Sequence, residues 1–396
     1  MSLSRARWAA LLCSLWLSAG AVAAPRFKLV AYYLASGTPA RYVAPDTLPA
    51  DKLTHLNYAF ADIRDGEIVV GDPSLDIGGA HNFARLRRLK QHHPALKTLI
   101  SVGGWAWSGH FSDAALTPGS RERFAASGVA FIRAHGFDGI DIDWEFPVAG
   151  GMPANARRPE DKHNFTLLLR ELREQLDRAG RADHRRYLLT AAVGNSAAYL
   201  SHIEPKQVAA TLDWLNLMAY DMNGTWSQVT GHVSPLYRDP AMTLPDADPA
   251  NDVADLVERY LAAGVPARKM LLGVPFYGYA WAQCPDARHG EYQPCGGLGR
   301  GSWEPGAYDA SEIQTQMVDR NGYVRHWNEA AKVPFLYRAE NGEFVTYEDQ
   351  ESLRAKLRFL RRRGLGGAMF WEITGDRRQL LLDTLAHDLL PAAARH

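Results

Sequence analysis

The stretch Phe137-Asp138-Gly139-Ile140-Asp141-Ile142-Asp143-Trp144-Glu145 places three carboxylic acids two residues apart. Side chains alternate along an extended strand. Asp141, Asp143 and Glu145 therefore share one face, and Ile140, Ile142 and Trp144 take the other. If the apolar face meets helices, the three acids point into an interior. Burying three unpaired like charges there would be very costly. The cluster is expected to keep at least one proton at neutral pH, with raised apparent pKa values shared among its members. That suits a general acid, Glu145, with Asp143 shaping its proton affinity. Carboxylates also bind Mg²⁺ or Ca²⁺, which is the alternative use of such a cluster. Metal ligands commonly converge from several elements, and these acids stack along one. Asp138 has the wrong parity for this face and reads as a strand-start residue bonded to backbone.

Aromatic residues recur at the ends of other apolar runs: Tyr32, Tyr58 and Phe60, Trp105 and Trp107, Tyr220, Tyr277, Trp281 and Trp371. A ring of them around acids offers flat apolar faces for sugar rings, with tyrosine hydroxyls and Asp221 free for hydrogen bonds. The residues by themselves point to glycoside hydrolysis, and they leave a puzzle. Two carboxylates two residues apart on one strand cannot flank a scissile bond from opposite sides, so the usual acid-plus-nucleophile pair is missing.

The elements that must position these groups alternate eight times. Short apolar runs cover Lys28–Leu34, His55–Ala61, Lys97–Gly103, Gly139–Glu145, Tyr187–Gly194, Trp214–Tyr220, Met270–Tyr277 and Gly367–Trp371. Most lack polar alternation, as expected for strands covered on both faces. Helical patterns lie between them near His81–His93, Gly119–His135, Asn251–Ala263 and Tyr347–Arg363. The clearest begins near Pro159, carries Phe165, Leu168, Leu169, Leu172 and Leu176 along one stripe, and is expected to stop at Gly180. The pattern predicts an α/β fold, a closed (β/α)8 TIM barrel. An open doubly wound sheet is the alternative, but no G-x-G-x-x-G turn follows the first strand. After the seventh strand the rhythm breaks for about 70 residues rich in Gly, Pro and aromatics. Val333–Tyr337, Asn341-Gly342 and Glu343–Tyr347 read there as a β-hairpin with a tight turn. The expected organisation is a barrel of residues 24–278 and 347–396 with a small α+β domain, 279–346, inserted after strand seven.

The chain has 396 residues, with 44 Lys+Arg against 44 Asp+Glu. The charge balance argues against nucleic acid and anionic membranes as partners. Arg5 and Arg7, an apolar run from Trp8 to Leu17 and Ala21-Val22-Ala23 describe a signal peptide, residues 1–23, cleaved before Ala24. The run is shorter than the roughly 20 residues that span a bilayer. The mature protein is expected to be secreted or periplasmic, off the membrane, and a monomer. Cys284 and Cys295 close a short loop and read as a disulfide; free thiols are the alternative. A zinc site would need more ligands than His289 between them, so no metal or other cofactor is expected.

The chain resembles the family 18 chitinases from about Phe27 to Leu390. Asp138 through Glu145 matches that family's DxxDxDxE signature, and Ser101-Val102-Gly103-Gly104 matches its SxGG motif. Met218-Ala219-Tyr220-Asp221 matches M-x-Y-D, and Trp371 matches the Trp ending the eighth strand. The insertion resembles the α+β domain of the subgroup with deep clefts. The resemblance implies a secreted endo-acting chitinase whose missing nucleophile lies in the substrate. The 2-acetamido oxygen of the sugar in the −1 subsite attacks its own anomeric carbon, giving an oxazolinium ion and net retention.

In that scheme Glu145 protonates the leaving oxygen and then activates water. Asp143 orients the acetamido group, and Asp141 pairs with Asp143 early in the cycle. Tyr220 bonds the acetamido carbonyl, with Asp221 and Met218 lining the same subsite. Trp371 forms its floor, helped by Tyr32, Phe60 and Tyr277, and Trp105 stacks a more distant sugar. Asp138, Ser101, Gly103 and Gly104 are expected to be structural. The implied substrate is chitin or chitooligosaccharides. The alternatives are an endo-β-N-acetylglucosaminidase acting on N-glycans and a non-catalytic chitin-binding lectin, although such lectins typically lose the terminal Glu that is present here. Two departures concern the outer minus subsites. Many members follow the strand-seven Tyr-Gly with an Arg where this chain has Tyr279, and Leu34-Ala35-Ser36-Gly37 stands where a Trp is often found.

Overall fold

The computed structural model describes residues 27–35, 40–243 and 251–390. The expected signal peptide, together with Ser36 and Gly37, lies outside the described residues. Eight parallel strands form the central sheet: β1 Lys28–Leu34, β2 His55–Arg64, β3 Lys97–Gly103, β4 Gly139–Asp143, β5 Leu188–Val193, β6 Trp214–Leu217, β7 Met270–Pro275 and β8 Gly367–Trp371. Each pairs with its sequence neighbour, and β1 also pairs with β8, so the sheet closes into a (β/α)8 barrel. Closure leaves the strands buried on both faces, which is why most of their sequences are nearly continuous apolar runs.

The surrounding helices follow their end signals. Helix α1 spans Asn82–His92 and α2 spans Pro118–His135. Thr117 and Ser120 form a capping box at the start of α2, and Gly136 ends it in the left-handed region, φ 79°. Helix α3, Asp161–Ala182, buries the whole stripe Phe165, Leu168, Leu169, Leu172 and Leu176. It runs two residues past Gly180, where a stop was expected. That glycine instead lets the Arg185 carbonyl approach, since a Cβ there would lie 2.4 Å from it. Helix α4 spans Val253–Ala262, and α5, Gln350–Arg363, starts at the Asp349 cap.

Several strands are shorter than their apolar runs. The acidic strand ends at Asp143 rather than Glu145, because its neighbour β3 ends at the paired Gly103. Strand β6 ends at Leu217 and β7 at Pro275, so Met218, Tyr220 and Tyr277 lie beyond the barrel ladder. Tyr277–Ala282 already belongs to a second, antiparallel sheet, in the order 297–298, 277–282, 343–346, 333–338 and 324–328. The hairpin between Val333–Arg338 and Glu343–Thr346 forms, but its turn differs from expectation. Arg338 pairs with Glu343, leaving four residues in the loop, and of Asn341 and Gly342 only Gly342 has a positive φ, 62°. The backbone of Asn341 and Gly342 instead accepts hydrogen bonds from Gln283 and Cys284 N–H. Cys284 and Cys295 are joined as a disulfide.

Candidate active site

Ile140 and Ile142 pack in the layer between barrel and helices, and Trp144 stacks on Phe111 at 5.3 Å. The acids take the other side, as alternation requires. Their surroundings change along the strand. Asp138, at the closed end, accepts from Thr98 N–H at 2.8 Å and lies 2.6 Å from the Lys90 ammonium, with Arg185 also paired to it. Asp141 is fully buried and accepts from four neutral donors: Tyr32 and Ser101 hydroxyls at 2.8 Å, Thr190 at 2.5 Å and Asn216 at 3.1 Å. Burial raises its pKa, opposed by these donors. With both oxygens occupied, Asp141 makes no bond to Asp143 here, whereas the resemblance implied a pairing early in the cycle.

Asp143 and Glu145 are differently placed. The buried Oδ1 of Asp143 has no hydrogen-bond partner among the described residues. Burial, then the neighbouring charges of Glu145 and Asp141, holds the Asp143 carboxyl well above the ordinary carboxylate range. Burial, then the charge of Asp221, pushes Glu145 up to about 8. The backbone around Glu145 is fixed although the strand has ended. Its N–H donates to the Ser108 hydroxyl at 2.8 Å, and its carbonyl accepts from Asn155 at 3.0 Å.

Above these acids opens a cleft of about 810 Å³. It gathers Tyr32, Phe60, Trp105, Asp143, Glu145, Met218, Tyr220, Asp221, Tyr277 and Trp371, the substrate-facing set read from the sequence. Trp371 lies nearly parallel to Phe60, with ring centres 5.7 Å apart and an interplanar angle of 21°. The Tyr220 hydroxyl lies 4.0 Å from Met369 Sδ, and burial raises its pKa far enough to keep it a donor. Asp221 Oδ1 accepts from Tyr277 at 2.5 Å and from Tyr279 at 3.1 Å. Gly103 and Gly104 have no room for a side chain. A Cβ on Gly103 would lie 2.4 Å from the Asp143 carbonyl, and one on Gly104 would lie 2.5 Å from the Phe60 ring.

Not every expected aromatic reaches the mouth. Tyr58 faces the helix layer, bonded to Asp76 and packed against Phe83 and Phe137. The ladder of β2 against β3 slips between Ala59 and Ala61, so the extra residue, Phe60, turns into the cleft although it shares Tyr58's parity. Trp281 packs in the second sheet against Phe344. Conversely, Thr190 and Asn216, which hold Asp141, and Ser108 and Asn155, which hold Glu145, were not singled out from the sequence. The first two carried a signal, as polar residues inside apolar strand runs. Ser108 opens a short 3-10 helix, Asn155 sits in a loop, and neither carried a signal. Among the described residues, no group of three or more His, Cys, Asp or Glu is arranged to hold a metal ion.

The sequence profile of the glycosyl hydrolases family 18 matches residues 28–376. Chitinase A1 of Niallia circulans is 44% identical, the alignment covering 94% of this chain and 60% of that protein. The chain thus spans somewhat under two thirds of that relative's length. Among solved structures, chitinase ChiA74 from Bacillus thuringiensis superposes with a TM-score of 0.88 at 39% identity, covering 92% of this chain and 69% of that one. A family 18 N-acetylglucosaminidase from Paenibacillus barengoltzii superposes at 0.79 with 36% identity, covering 92% of this chain and all of the other. A profile match over most of the chain, on a closed barrel with its acids at the mouth, means that this chain belongs to the glycosyl hydrolases family 18.

Proposed function

We propose that this protein is a chitinase that cleaves β-1,4 bonds between N-acetylglucosamine units within chitin and chitooligosaccharides, with retention of configuration. The observation that carries the reading is the place of Glu145, lining an aromatic cleft beside Asp143, where burial and the charge of Asp221 push its pKa up to about 8. At neutral pH Glu145 gives its proton to the glycosidic oxygen as the bond from that oxygen to the anomeric carbon breaks. The acetamido oxygen of the same sugar forms the new bond to that carbon, giving an oxazolinium ion. Asp143 orients the acetamido N–H, and the Tyr220 hydroxyl donates to its oxygen. Glu145, now a carboxylate, takes a proton from the water that attacks the anomeric carbon and reopens the ring. Trp371, Tyr32, Phe60 and Tyr277 supply the apolar floor, and Trp105 a stacking surface farther along the cleft.

The Arg5/Arg7 flank, the apolar run and Ala21-Val22-Ala23 support export of the mature protein. A time course on the N-acetylglucosamine hexamer tests the activity. Early products of two or more sugars are expected, appearing first as the β-anomer. Release of single sugars alone from the first turnover would make the enzyme exo-acting, and an initial α-anomer would exclude substrate assistance. Cleavage of glycoprotein N-glycans without attack on the hexamer would assign the alternative endo-β-N-acetylglucosaminidase activity.

A further inference from the structure

The segment that carries Tyr220 has left the barrel ladder. Strand β6 ends at Leu217, and the chain then bends so sharply that the Ala219 N–H donates back to the Leu217 carbonyl at 2.8 Å. Asp221 takes a left-handed φ of 59°, a region that favours glycine. A segment bent away from its ladder needs other partners for its backbone. The Tyr220 carbonyl accepts from Asn195 Nδ2 at 2.6 Å, and the Ala219 carbonyl accepts from the Ser234 hydroxyl at 2.6 Å. The Tyr220 hydroxyl meets the Met369 sulfur at 4.0 Å, a weak partner, so the aim of the ring is set by its backbone.

Ser234 is held in turn. Lys356, on the buried face of α5, donates to the Ser234 carbonyl at 2.6 Å and to its hydroxyl oxygen at 2.8 Å, and it is ion-paired to Glu348. Glu348 also accepts from the Ser352 hydroxyl at 2.7 Å. Ser234, Glu348 and Lys356 are all buried. An ammonium has three N–H groups and no acceptor, and here each N–H has a partner. The Ser234 oxygen therefore accepts from Lys356, which leaves its own hydrogen for the Ala219 carbonyl. A buried ion pair adds little stability over apolar residues of similar size, but it fixes direction. We propose that Lys356 and Ser234 are positioning residues for the reaction: the buried ammonium aims the Ser234 hydroxyl, which holds the Ala219 carbonyl and thereby sets where Tyr220 places its own hydroxyl. This role rests on the reading of Tyr220 as the donor to the acetamido oxygen. It gives a residue of the covering helix layer, outside the cleft, a part in the chemistry.

The test measures kcat and KM on the N-acetylglucosamine hexamer for Ser234→Ala and Tyr220→Phe, singly and together. Ser234→Ala is expected to lower kcat about three- to tenfold with KM changed less than about twofold, because a displaced ring still lets substrate bind but donates poorly. Tyr220→Phe should lower kcat further, by about 10²-fold. In the Tyr220→Phe background, Ser234→Ala should cost less than about twofold, since the hydroxyl it aims is gone. Ser234→Cys keeps the volume with a weaker donor and should fall between serine and alanine; it is read in the same two backgrounds if the alanine variant does not fold. Lys356→Met combined with Glu348→Gln leaves no lone buried charge and should reproduce the kcat loss of Ser234→Ala. Equal losses in both backgrounds, as a general loosening of the fold would give, or no loss in Ser234→Ala, would overturn the positioning role while leaving the cleft reading intact. Wild-type kcat in the Lys356/Glu348 pair variant would overturn the part given to Lys356. A Tyr220→Phe enzyme as active as wild type would remove the role of Tyr220, and this one with it.

Discussion

At its closed end, the acidic strand pairs Asp138 with Lys90 and Arg185; at its open end, the charges acting on Asp143 and Glu145 are those of other carboxylates. Asp141 stands between, stripped of water but given four neutral donors. Four acids in and beside one strand therefore meet three environments within eight residues. The paired end anchors the strand between β3 and its covering helices. The far end is kept short of compensation, which raises proton affinity and makes a proton available for transfer near neutral pH. What separates a structural acid from a reacting one here is the company it keeps, since the residue types are alike.

The largest effect should come from removing the proton donor at the open end. Glu145→Gln is expected to lower kcat by at least about 10³-fold while hexamer binding persists, because only proton transfer is lost. Single-turnover rates and binding calorimetry check this. Turnover near that of wild type would place the acid elsewhere and dissolve the contrast between the two ends.

Disturbing the closed end should act on stability instead. Lys90→Met leaves the buried Asp138 with less compensation and is expected to cost about 1–3 kcal/mol, read from the urea midpoint, with Arg185 limiting the damage. The pH profile of the surviving activity should not move. A shifted profile would mean that the two ends are electrostatically one unit.

The smallest effect sharpens the contrast at the mouth. Tyr279 is a neutral donor to Asp221, and the charge of Asp221 helps to raise Glu145. In Tyr279→Phe the Asp221 carboxylate loses stabilisation and takes up a proton more readily. Glu145 then feels less negative charge and gives up its own proton more easily. The alkaline limb of kcat/KM should move down by about half a pH unit. A shift upward would show that Tyr279 acts on Glu145 by another route.

The barrel was legible because both-face burial leaves a largely apolar signature in most strands, and the caps at Thr117 and Asp349 mark helix starts through their own hydrogen bonds. The acidic strand was legible through alternation alone, and the motifs around Tyr220 and Trp371 added the rest of the floor. Alternation failed where backbone geometry breaks the period. The slip at Phe60 sends it and Tyr58 to opposite faces, and Glu145 reaches the cleft from a loop rather than a strand. The supports of Glu145 are Ser108, from a short 3-10 helix after β3, and Asn155, from the loop that follows the acidic strand. Lys356 meets Ser234, 122 positions earlier. Such meetings depend on tertiary closure, which leaves no local pattern to read.

The central claim is that Glu145 holds its proton through neutral pH, and the pH dependence of kcat/KM on the hexamer tests it most directly. Its folded-state pKa is raised, so the acid form persists until pH climbs through that value. The account predicts an alkaline limb centred near the value of about 8 assigned to Glu145, absent in any residual activity of Glu145→Gln. A rate that falls away through the ordinary carboxylate range, at about pH 4–5, would contradict it.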